Sequence, residues 1–259
     1  MTTADTMTDT ARPEVMARLR RYNLAMGVLH AVQAVAIVAL SNTFTLPVTG
    51  TFLEGPPGSP ASDPSLLANF SVAWGVAIFL LLSAVFHLLI SLPGFFVRYR
   101  NGLTQSRNYF RWVEYSLSSS VMIVLIAMLT GISDIAALIA LFGVNASMIF
   151  FGSLQEKYER PGGSLLPFWL GSVAGAIPWI AIGFYLFTPG SAAQPPGFVY
   201  GIFFSLFVFF NVFALNMWLQ YRQVGRWSNY LHGERAYVLL SLVAKSALAW
   251  QVFGGTLAL

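Results

Sequence analysis

Long apolar runs, separated by short polar or Pro/Gly-rich breaks, dominate the chain from residue 23 onward. Each run is long enough to cross the ~30 Å hydrocarbon core of a bilayer as a helix. Backbone groups in lipid must be paired within their own segment, which also favours helices. The pattern therefore predicts an all-α membrane protein with seven transmembrane helices. The predicted spans are approximately 23–41, 69–93, 105–129, 134–152, 165–188, 198–221 and 234–257.

The longest polar break, residues 42–68, carries a different pattern. From Thr43 to Leu53, threonines alternate in part with apolar side chains around Pro47 and Gly50, and a Pro/Gly-rich stretch follows. Alternation with a period of two predicts a short β-hairpin before that turn. An unstructured loop agrees equally well with these residues. If it forms, the hairpin is expected to cap the bundle or to contact a neighbouring subunit.

Composition agrees with a membrane protein. Of the 259 residues, 56% are hydrophobic and 9% are charged, against about 25% charged in soluble domains. The chain contains no cysteine, which excludes disulfides, thiolate metal sites and catalytic thiols.

The basic residues predict the orientation in the membrane. Thirteen of the fourteen lysines and arginines fall on one side of the predicted spans, whereas the loops 42–68, 130–133 and 189–197 contain none. The positive-inside rule therefore places the N-terminus in the cytoplasm and the C-terminus outside. The net charge of +4 is then a topology signal that needs no nucleic-acid partner, although such a face is also suited to anionic lipid or a cytoplasmic partner.

Residues 1–22 are polar and contain no apolar core, so they predict a cytoplasmic N-terminal segment without a cleavable signal peptide. The rest of the chain, 23–259, is predicted to form one transmembrane domain, since it contains no internal repeat and no sign of a second domain. We expect a multi-pass protein of the cell membrane.

Lys245 is the one basic residue deep inside a predicted span, ~16 Å from the start of its helix near Glu234. A lysine at that depth costs roughly 2.5–3.5 kcal/mol and needs a partner, a water cavity or covalent chemistry. Glu114 lies at nearly the same depth, ~15 Å, in the third span. The two residues are predicted to form an ion pair, with Ser118 and Ser241 one helical turn away from each.

His30 and His87 also lie inside spans, each ~10 Å from the cytoplasmic edge. They are predicted to form a hydrated polar cluster between Lys245 and the cytoplasm. The same histidines are also compatible with separate hydrogen bonds to backbone or serine. A zinc site is disfavoured, because the third histidine, His232, is in a predicted loop. The other predicted members of the cluster are Ser83, Asn108, Arg111 and Glu114.

Four segments carry a resemblance to a known family: RWVEYSLSSSVMIVLIA (111–127), FGVNASM (142–148), WSNYLHGERAY (227–237) and SLVAKSALAW (241–250). They resemble heliorhodopsins, and the similarity runs from about Asn23 to the C-terminus. The resemblance implies a rhodopsin-like seven-helix bundle that is inverted relative to other rhodopsins. This agrees with the orientation that the basic residues predict independently.

The resemblance also implies a cofactor, all-trans retinal, bound to Lys245 as a protonated Schiff base with Glu114 as its counterion. Ser118 and Ser241 are implied to lie near that linkage, and His30 and His87 to lie in a cytoplasmic-side polar cavity lined by Ser83, Asn108 and Arg111. A homodimer is implied, with the hairpin of the first outer loop at its interface. Further residues implied to surround the chromophore are Tyr115, Met122, Asn145, Trp179, Phe210 and Trp250.

The predicted function is light sensing without catalysis. Light is expected to isomerise retinal from all-trans to 13-cis and to move the N–H away from Glu114, after which polar groups or water near the histidines hold the released proton. Pumping is disfavoured, because the outer halves of the spans carry no carboxylate or histidine beyond Lys245. A slow photocycle with signalling to an unidentified cytoplasmic partner is therefore the leading hypothesis.

Three alternatives remain open from the sequence. A light-gated proton or ion channel uses the same pigment. A light-independent transporter with the Lys245–Glu114 pair as its coupling site is colourless. A membrane-embedded metal hydrolase requires bound zinc.

Overall fold

In the computed structural model, the residues described are 12–188 and 194–258; residues 1–11 of the predicted N-terminal segment and residues 189–193 and 259 lie outside them. Seven of the helices described are long and apolar enough to cross a membrane, namely all but α3. The prediction of seven membrane helices is thus confirmed. The helices are α1 (Pro13–Leu40), α2 (Val72–Ser91), α3 (Pro93–Thr104), α4 (Tyr109–Leu129), α5 (Ile135–Tyr158), α6 (Leu166–Phe187), α7 (Gly197–Tyr221) and α8 (Tyr230–Val252), and the strands are β1 (Thr45–Gly50) and β2 (Ser65–Ser71).

Several helices begin at side chains that cap them. Asn108 accepts a hydrogen bond from the Arg111 N–H at the start of α4, Asp134 caps α5 and Asn229 caps α8. Such side chains pair the first N–H groups of a helix, which have no partner within it. A 3₁₀ turn, Gly225–Ser228, precedes α8, and a π-helical turn, Phe253–Leu257, follows it.

The end of the bundle near α3 departs most from the prediction. Helix α1 begins at Pro13, ten residues before the predicted span, and its buried Met16 and Leu19 pack in one cluster with Tyr99 and Leu103 of α3. Helix α3 itself was not predicted, because its arginines and glycines read as a polar break. Pro at the first helical position favours the start of both helices. The segment between the second and third predicted spans is thus a helix, α3, that packs against the first turns of α1.

The predicted hairpin forms, but with different bounds. Strand β1 pairs antiparallel with β2, from Thr45 opposite Ser71 to Gly50 opposite Ser65. The Pro/Gly-rich stretch therefore lies between the strands rather than after them. The sequence misses β2 because its first four residues were assigned to the loop 42–68 and its last three to the second span.

Two contacts fix the hairpin to the bundle. The backbone N–H of Thr49 donates to the Ser133 carbonyl over 2.9 Å, in the turn between α4 and α5. The Asn42 N–H, just before β1, donates to the Leu257 carbonyl over 3.0 Å. We call this end of the bundle the hairpin end and the end near α3 the opposite end.

The largest hydrophobic cluster lies between the level of Lys245 and the hairpin end, and we call this part the hairpin half. Its side chains come from helices on all sides of the bundle. The fully buried ones include Ile37, Phe79, Leu80, Ile123, Ile126, Ile182, Ile202, Leu206 and Leu248.

Candidate functional site

The predicted ion pair lies in the middle of the bundle. Lys245 Nζ donates to Glu114 Oε1 over 3.0 Å and to Ser241 Oγ over 2.8 Å. Lys245 is 3% exposed and Glu114 4% exposed. Ser83 Oγ donates to the same Glu114 oxygen over 2.6 Å. A buried ion pair is favourable only when such further hydrogen bonds compensate the loss of water.

A cavity of about 130 Å³ extends from Lys245 towards α5 and α6. Its surface is predominantly apolar and aromatic. We call it the main cavity. It is lined by Trp112, Tyr115, Ser118, Ser119, Met122, Met148, Ile149, Gly152, Phe168, Gly171, Ser172, Phe210, Phe213, Ala214, Met217, Tyr237, Ser241, Ala244 and Lys245.

Two glycines shape the far end of the main cavity. A Cβ at Gly152 of α5 would lie 2.7 Å from the ring of Trp112, and a Cβ at Gly171 of α6 would lie 3.0 Å from Phe151. Both positions therefore require a residue without a side chain if the helices are to keep these contacts. The result is an elongated space with a primary amine at one end and flat apolar walls, suited to a long apolar ligand that carries an aldehyde.

Six predicted residues line the main cavity: Lys245, Ser241, Ser118, Tyr115, Met122 and Phe210. Five of these lie on α4 and α8, and the same helices also contribute Trp112, Ser119, Tyr237 and Ala244 to the lining, which were not predicted. Tyr115 is also fixed by a hydrogen bond, because its hydroxyl donates to the Tyr237 carbonyl over 2.9 Å.

Besides the predicted counterion Glu114, three other residues predicted for the retinal site do not line it. Asn145 does not border the main cavity itself, but donates a hydrogen bond over 2.8 Å to Oγ of Ser119, which does. Trp179 packs edge-on against Phe210, with ring centroids 5.4 Å apart. Trp250 is 42% exposed and donates to Gln33 Oε1 over 3.1 Å. Because Trp250 lies five residues after Lys245 on α8, it occupies a different helical face.

The two predicted histidines meet. The rings of His30 and His87 stack with centroids 5.8 Å apart and an interplanar angle of 8°. His87 Nδ1 is hydrogen-bonded to Asn23 Oδ1 over 2.9 Å, whereas neither ring nitrogen of His30 has a hydrogen-bond partner among the described residues. Asn23 was not among the residues predicted for the histidine cluster, but its hydrogen bond to His87 makes it part of that cluster.

Arg111 lies further from Lys245, at the opposite end. Its guanidinium forms ion pairs with Glu156, over 2.6 Å, and with Glu234. It also lies over the rings of Trp112 and Tyr237, at 4.5 and 4.2 Å from their centroids. Together these contacts fix the guanidinium between α4, α5 and α8.

The remaining oxygens of both carboxylates are also occupied. Glu156 accepts from the Asn108 N–H over 2.8 Å, from Trp112 Nε1 over 2.5 Å and from the Tyr230 hydroxyl over 2.7 Å. Glu234 accepts from Asn108 Nδ2 over 2.5 Å and from the Tyr99 hydroxyl over 3.2 Å. We call the set Arg111, Glu156, Glu234, Asn108, Trp112, Tyr99 and Tyr230 the arginine network.

Sequence reasoning missed the two carboxylates of this network. Glu156 lay beyond the predicted end of the fourth span at 152, but α5 continues to Tyr158. Glu234 marked the predicted start of the seventh span and was treated as a boundary residue. A helical pattern followed past the last apolar residue would have placed Glu156 inside α5, but neither partner of Arg111 could be named without the fold.

A second cavity, of about 30 Å³, joins the two groups of polar residues. Glu114, His87, Arg111 and Glu234 all border it. Its polar lining and size suit ordered water. We call it the polar cavity. Within residues 12–188 and 194–258, no group of three or more His, Asp or Glu side chains is placed to hold a metal ion.

The comparisons with known proteins identify one family. The family model described as Heliorhodopsin matches residues 19–257. This match covers nearly the whole chain, both cavities and the Lys245–Glu114 pair. No curated protein matches the chain.

Proposed function

The chain belongs to the heliorhodopsin family of retinal-containing, light-sensing membrane proteins, and from that premise we propose that it is a photosensor whose all-trans retinal is bound to Lys245. The observation that supports this most directly is the buried Lys245 Nζ, 3.0 Å from Glu114 Oε1 at one end of the main cavity. We further propose a slow photocycle that signals and does not pump ions. We propose no enzymatic activity.

The residues present fit retinal. Lys245 supplies the amine, Ser241 and Ser118 lie beside it, and aromatic side chains such as Tyr115 and Phe210 line the walls. Met122 lines the same space. When bound as a protonated Schiff base, retinal supplies absorption of visible light and isomerisation from all-trans to 13-cis.

Glu114 has the role of counterion in this proposal. Its carboxylate compensates the positive charge on Lys245 Nζ in surroundings that exclude water. Ser83 and Ser241 keep this arrangement ordered through their hydrogen bonds to Glu114 and Lys245. Displacing Nζ from Glu114 leaves the charge without compensation, so Nζ releases its proton.

The released proton is proposed to stay on the side of the bundle that holds the histidines. His30 and His87 stack there, and the polar cavity leads from Glu114 and His87 to Asn108 and Arg111. The hairpin half offers no comparable route. Its buried cluster is hydrophobic, and the described acidic residues near the hairpin end, Glu54, Asp63 and Asp134, lie outside the helices. A pump needs relay groups on both sides of the lysine, so this asymmetry favours a sensor.

The orientation and the assembly are proposals of the same kind. The distribution of basic residues favours a cytoplasmic N-terminus in the cell membrane, with the signal passed to a cytoplasmic partner. A homodimer is supported by exposed apolar side chains of the hairpin region, since exposed apolar groups mark contact surfaces. These are Phe52, Leu53, Leu66 and Leu67, each between 48% and 59% exposed.

The test of the proposed function is the visible spectrum of the purified full chain with all-trans retinal. A visible band is expected for the wild type and for neither Lys245→Ala nor Lys245→Arg. The arginine variant keeps a cation beside Glu114 but lacks a primary amine, so it separates loss of the linkage from loss of the fold. No band in the wild type would overturn the retinal proposal and favour a colourless transporter.

Flash photolysis and a light-driven pH assay on the same membranes test the proposed slow photocycle and the proposed absence of ion pumping. A slow photocycle without a light-induced pH change is expected. Photocurrents under voltage clamp would instead indicate a light-gated channel, and a sustained pH gradient would indicate a pump.

A further inference from the structure

We infer that Glu234 is the residue that finally accepts the proton released from Lys245, and that the proton reaches it from His87 through the polar cavity. This inference rests on the proposed photosensor function and assigns an end point to its proton movement. The histidines then pass the proton on and do not keep it.

The polar cavity connects the ion pair with Glu234, because Glu114, His87, Asn23 and Glu234 all border it. Near the ion pair, His87 Nδ1 is 2.9 Å from Asn23 Oδ1. Glu234 accepts a hydrogen bond from the Tyr99 hydroxyl over 3.2 Å. The polar cavity is therefore the route between the two groups.

The charges of the arginine network favour an incoming proton. Arg111 is the one cation within salt-bridge distance of Glu156 or Glu234 in the described part of the chain. The network therefore holds two carboxylates and one guanidinium, all buried. The titratable groups packed around Glu234 are Tyr99 of α3, Arg111 of α4, Glu156 of α5 and the tyrosines of α8. A buried excess negative charge is costly, and one proton removes it.

Of the two carboxylates, Glu234 is the one suited to accept. Each carboxylate accepts from one hydroxyl, Glu156 from Tyr230 and Glu234 from Tyr99, and a hydroxyl can reverse and accept from a protonated carboxyl group. The polar cavity distinguishes the two carboxylates, because Glu234 borders it and Glu156 does not. A proton that moves through that cavity therefore meets Glu234.

Tyr99 is the hydroxyl partner of Glu234 and keeps its own proton. Burial, together with the nearby charge of Glu234, raises the pKa of the Tyr99 hydroxyl well above its ordinary value. The hydroxyl therefore remains protonated and can reorient to accept from the protonated carboxyl group of Glu234. Tyr99 is 1% exposed, so this contact is shielded from bulk water.

The step conserves charge within the protein. The N–H bond at Lys245 Nζ breaks and an O–H bond forms at Glu234, with His87 and water of the polar cavity as relay groups. The negative charge of the arginine network is removed, and Glu114 is left as the uncompensated carboxylate beside a neutral Nζ. No proton reaches either side of the membrane, which is consistent with deprotonation without pumping.

The test is light-minus-dark infrared difference spectroscopy on the retinal-reconstituted full chain. The deprotonated state of Nζ is expected to coincide with a new carboxylic-acid C=O band that shifts with ¹³C-labelled glutamate. The band should be absent in Glu234→Gln and shifted in Glu234→Asp. Glu159→Gln, at the same end of the bundle but outside the network, is the matched control and should retain it. A placed acid or base contributes ~10²–10⁴-fold to proton transfer, so Glu234→Gln should slow deprotonation of Nζ at least about tenfold.

Tyr99→Phe provides a test that leaves Glu234 in place, which matters if Glu234→Gln does not form pigment. It removes one hydrogen bond to the carboxyl group and should shift the band and slow deprotonation. A carboxylic-acid band that persists unchanged in Glu234→Gln would assign the proton elsewhere, for example to Glu114, and overturn the inference. So would a wild-type spectrum without such a band. In both cases the visible pigment and its photocycle would still support the proposed function, whereas a colourless wild type would overturn the proposed function itself.

Discussion

The hairpin half and the part of the bundle around the arginine network differ in how they tolerate burial. Side chains such as Phe79 and Leu80 in the hairpin half are apolar and fully buried, and they need only close packing. Around Arg111, by contrast, the buried groups are charged or polar, and each requires a specific partner. A truncated side chain in the hairpin half therefore weakens packing locally. Around Arg111, removal of a single partner disrupts the hydrogen bonds and ion pairs of the whole network.

The largest loss of stability, and so the strongest test of this comparison, is expected from Arg111→Gln. It removes the cation shared by Glu156 and Glu234, and breaking a buried pair costs roughly 3–5 kcal/mol. Thermal unfolding in detergent measures the loss. Arg107→Gln, at the same end of the bundle and outside the network, is the control. A melting temperature equal to that of the wild type would show that the network does not stabilise the bundle.

Glu114→Gln is expected to cause the second-largest loss of stability. It leaves the buried Lys245 without its anion, at a cost of about 3 kcal/mol in the retinal-free protein, and with retinal it should red-shift or bleach the visible band. Unfolding of the retinal-free protein and absorption of the pigment are measured separately. An unchanged spectrum would remove Glu114 from the role of counterion.

Leu80→Ala tests the hairpin half. Leu80 is fully buried, and truncation of such a side chain costs about 2–3 kcal/mol. The visible band should keep its position, because Leu80 borders neither cavity. Val85→Ala, at a position 56% exposed on the same helix, is the control and should change neither quantity. A shifted band in Leu80→Ala would show that packing in the hairpin half influences the pigment.

The smallest effect is expected from Thr49→Val. It removes the hydrogen bond of 2.9 Å between Thr49 Oγ1 and Ser133 Oγ, while the backbone bond between the same residues remains. The loss should be about 1 kcal/mol and should be visible as faster amide hydrogen exchange in β1 and β2. Equal exchange in variant and wild type would mean that the side-chain hydrogen bond does not contribute to anchoring the hairpin.

The sequence predicts the membrane helices and the central ion pair for the same reason. Apolar run length is a local property, and depth follows from counting residues along a helix, so Lys245 and Glu114 could be paired before any fold was known. The same counting brought His30 and His87 to one level. These predictions use no information about which helix lies beside which.

The features that the sequence misses depend on neighbours far away in the chain. Glu156 and Glu234 are buried because Arg111 of another helix compensates them, and α3 forms against the first turns of α1. Polar residues of this kind read as loops or boundaries when each segment is considered alone. Trp250 shows the reverse case, since a resemblance of sequence placed it near the chromophore while its helical face directs it to Gln33.

The apolar packing of the hairpin half has an electrical consequence. A transmembrane voltage falls mainly across regions of low polarisability, and each elementary charge moved across the whole drop gains about 2.3 kcal/mol per 100 mV. Lys245, Glu114 and Glu234 all lie beyond that apolar layer, on the side that holds the polar cavity. A proton that moves among them therefore crosses little of the field. The protein is expected to respond to light with the same time course in a polarised and in a depolarised cell, as recordings of the photocycle at different voltages would show.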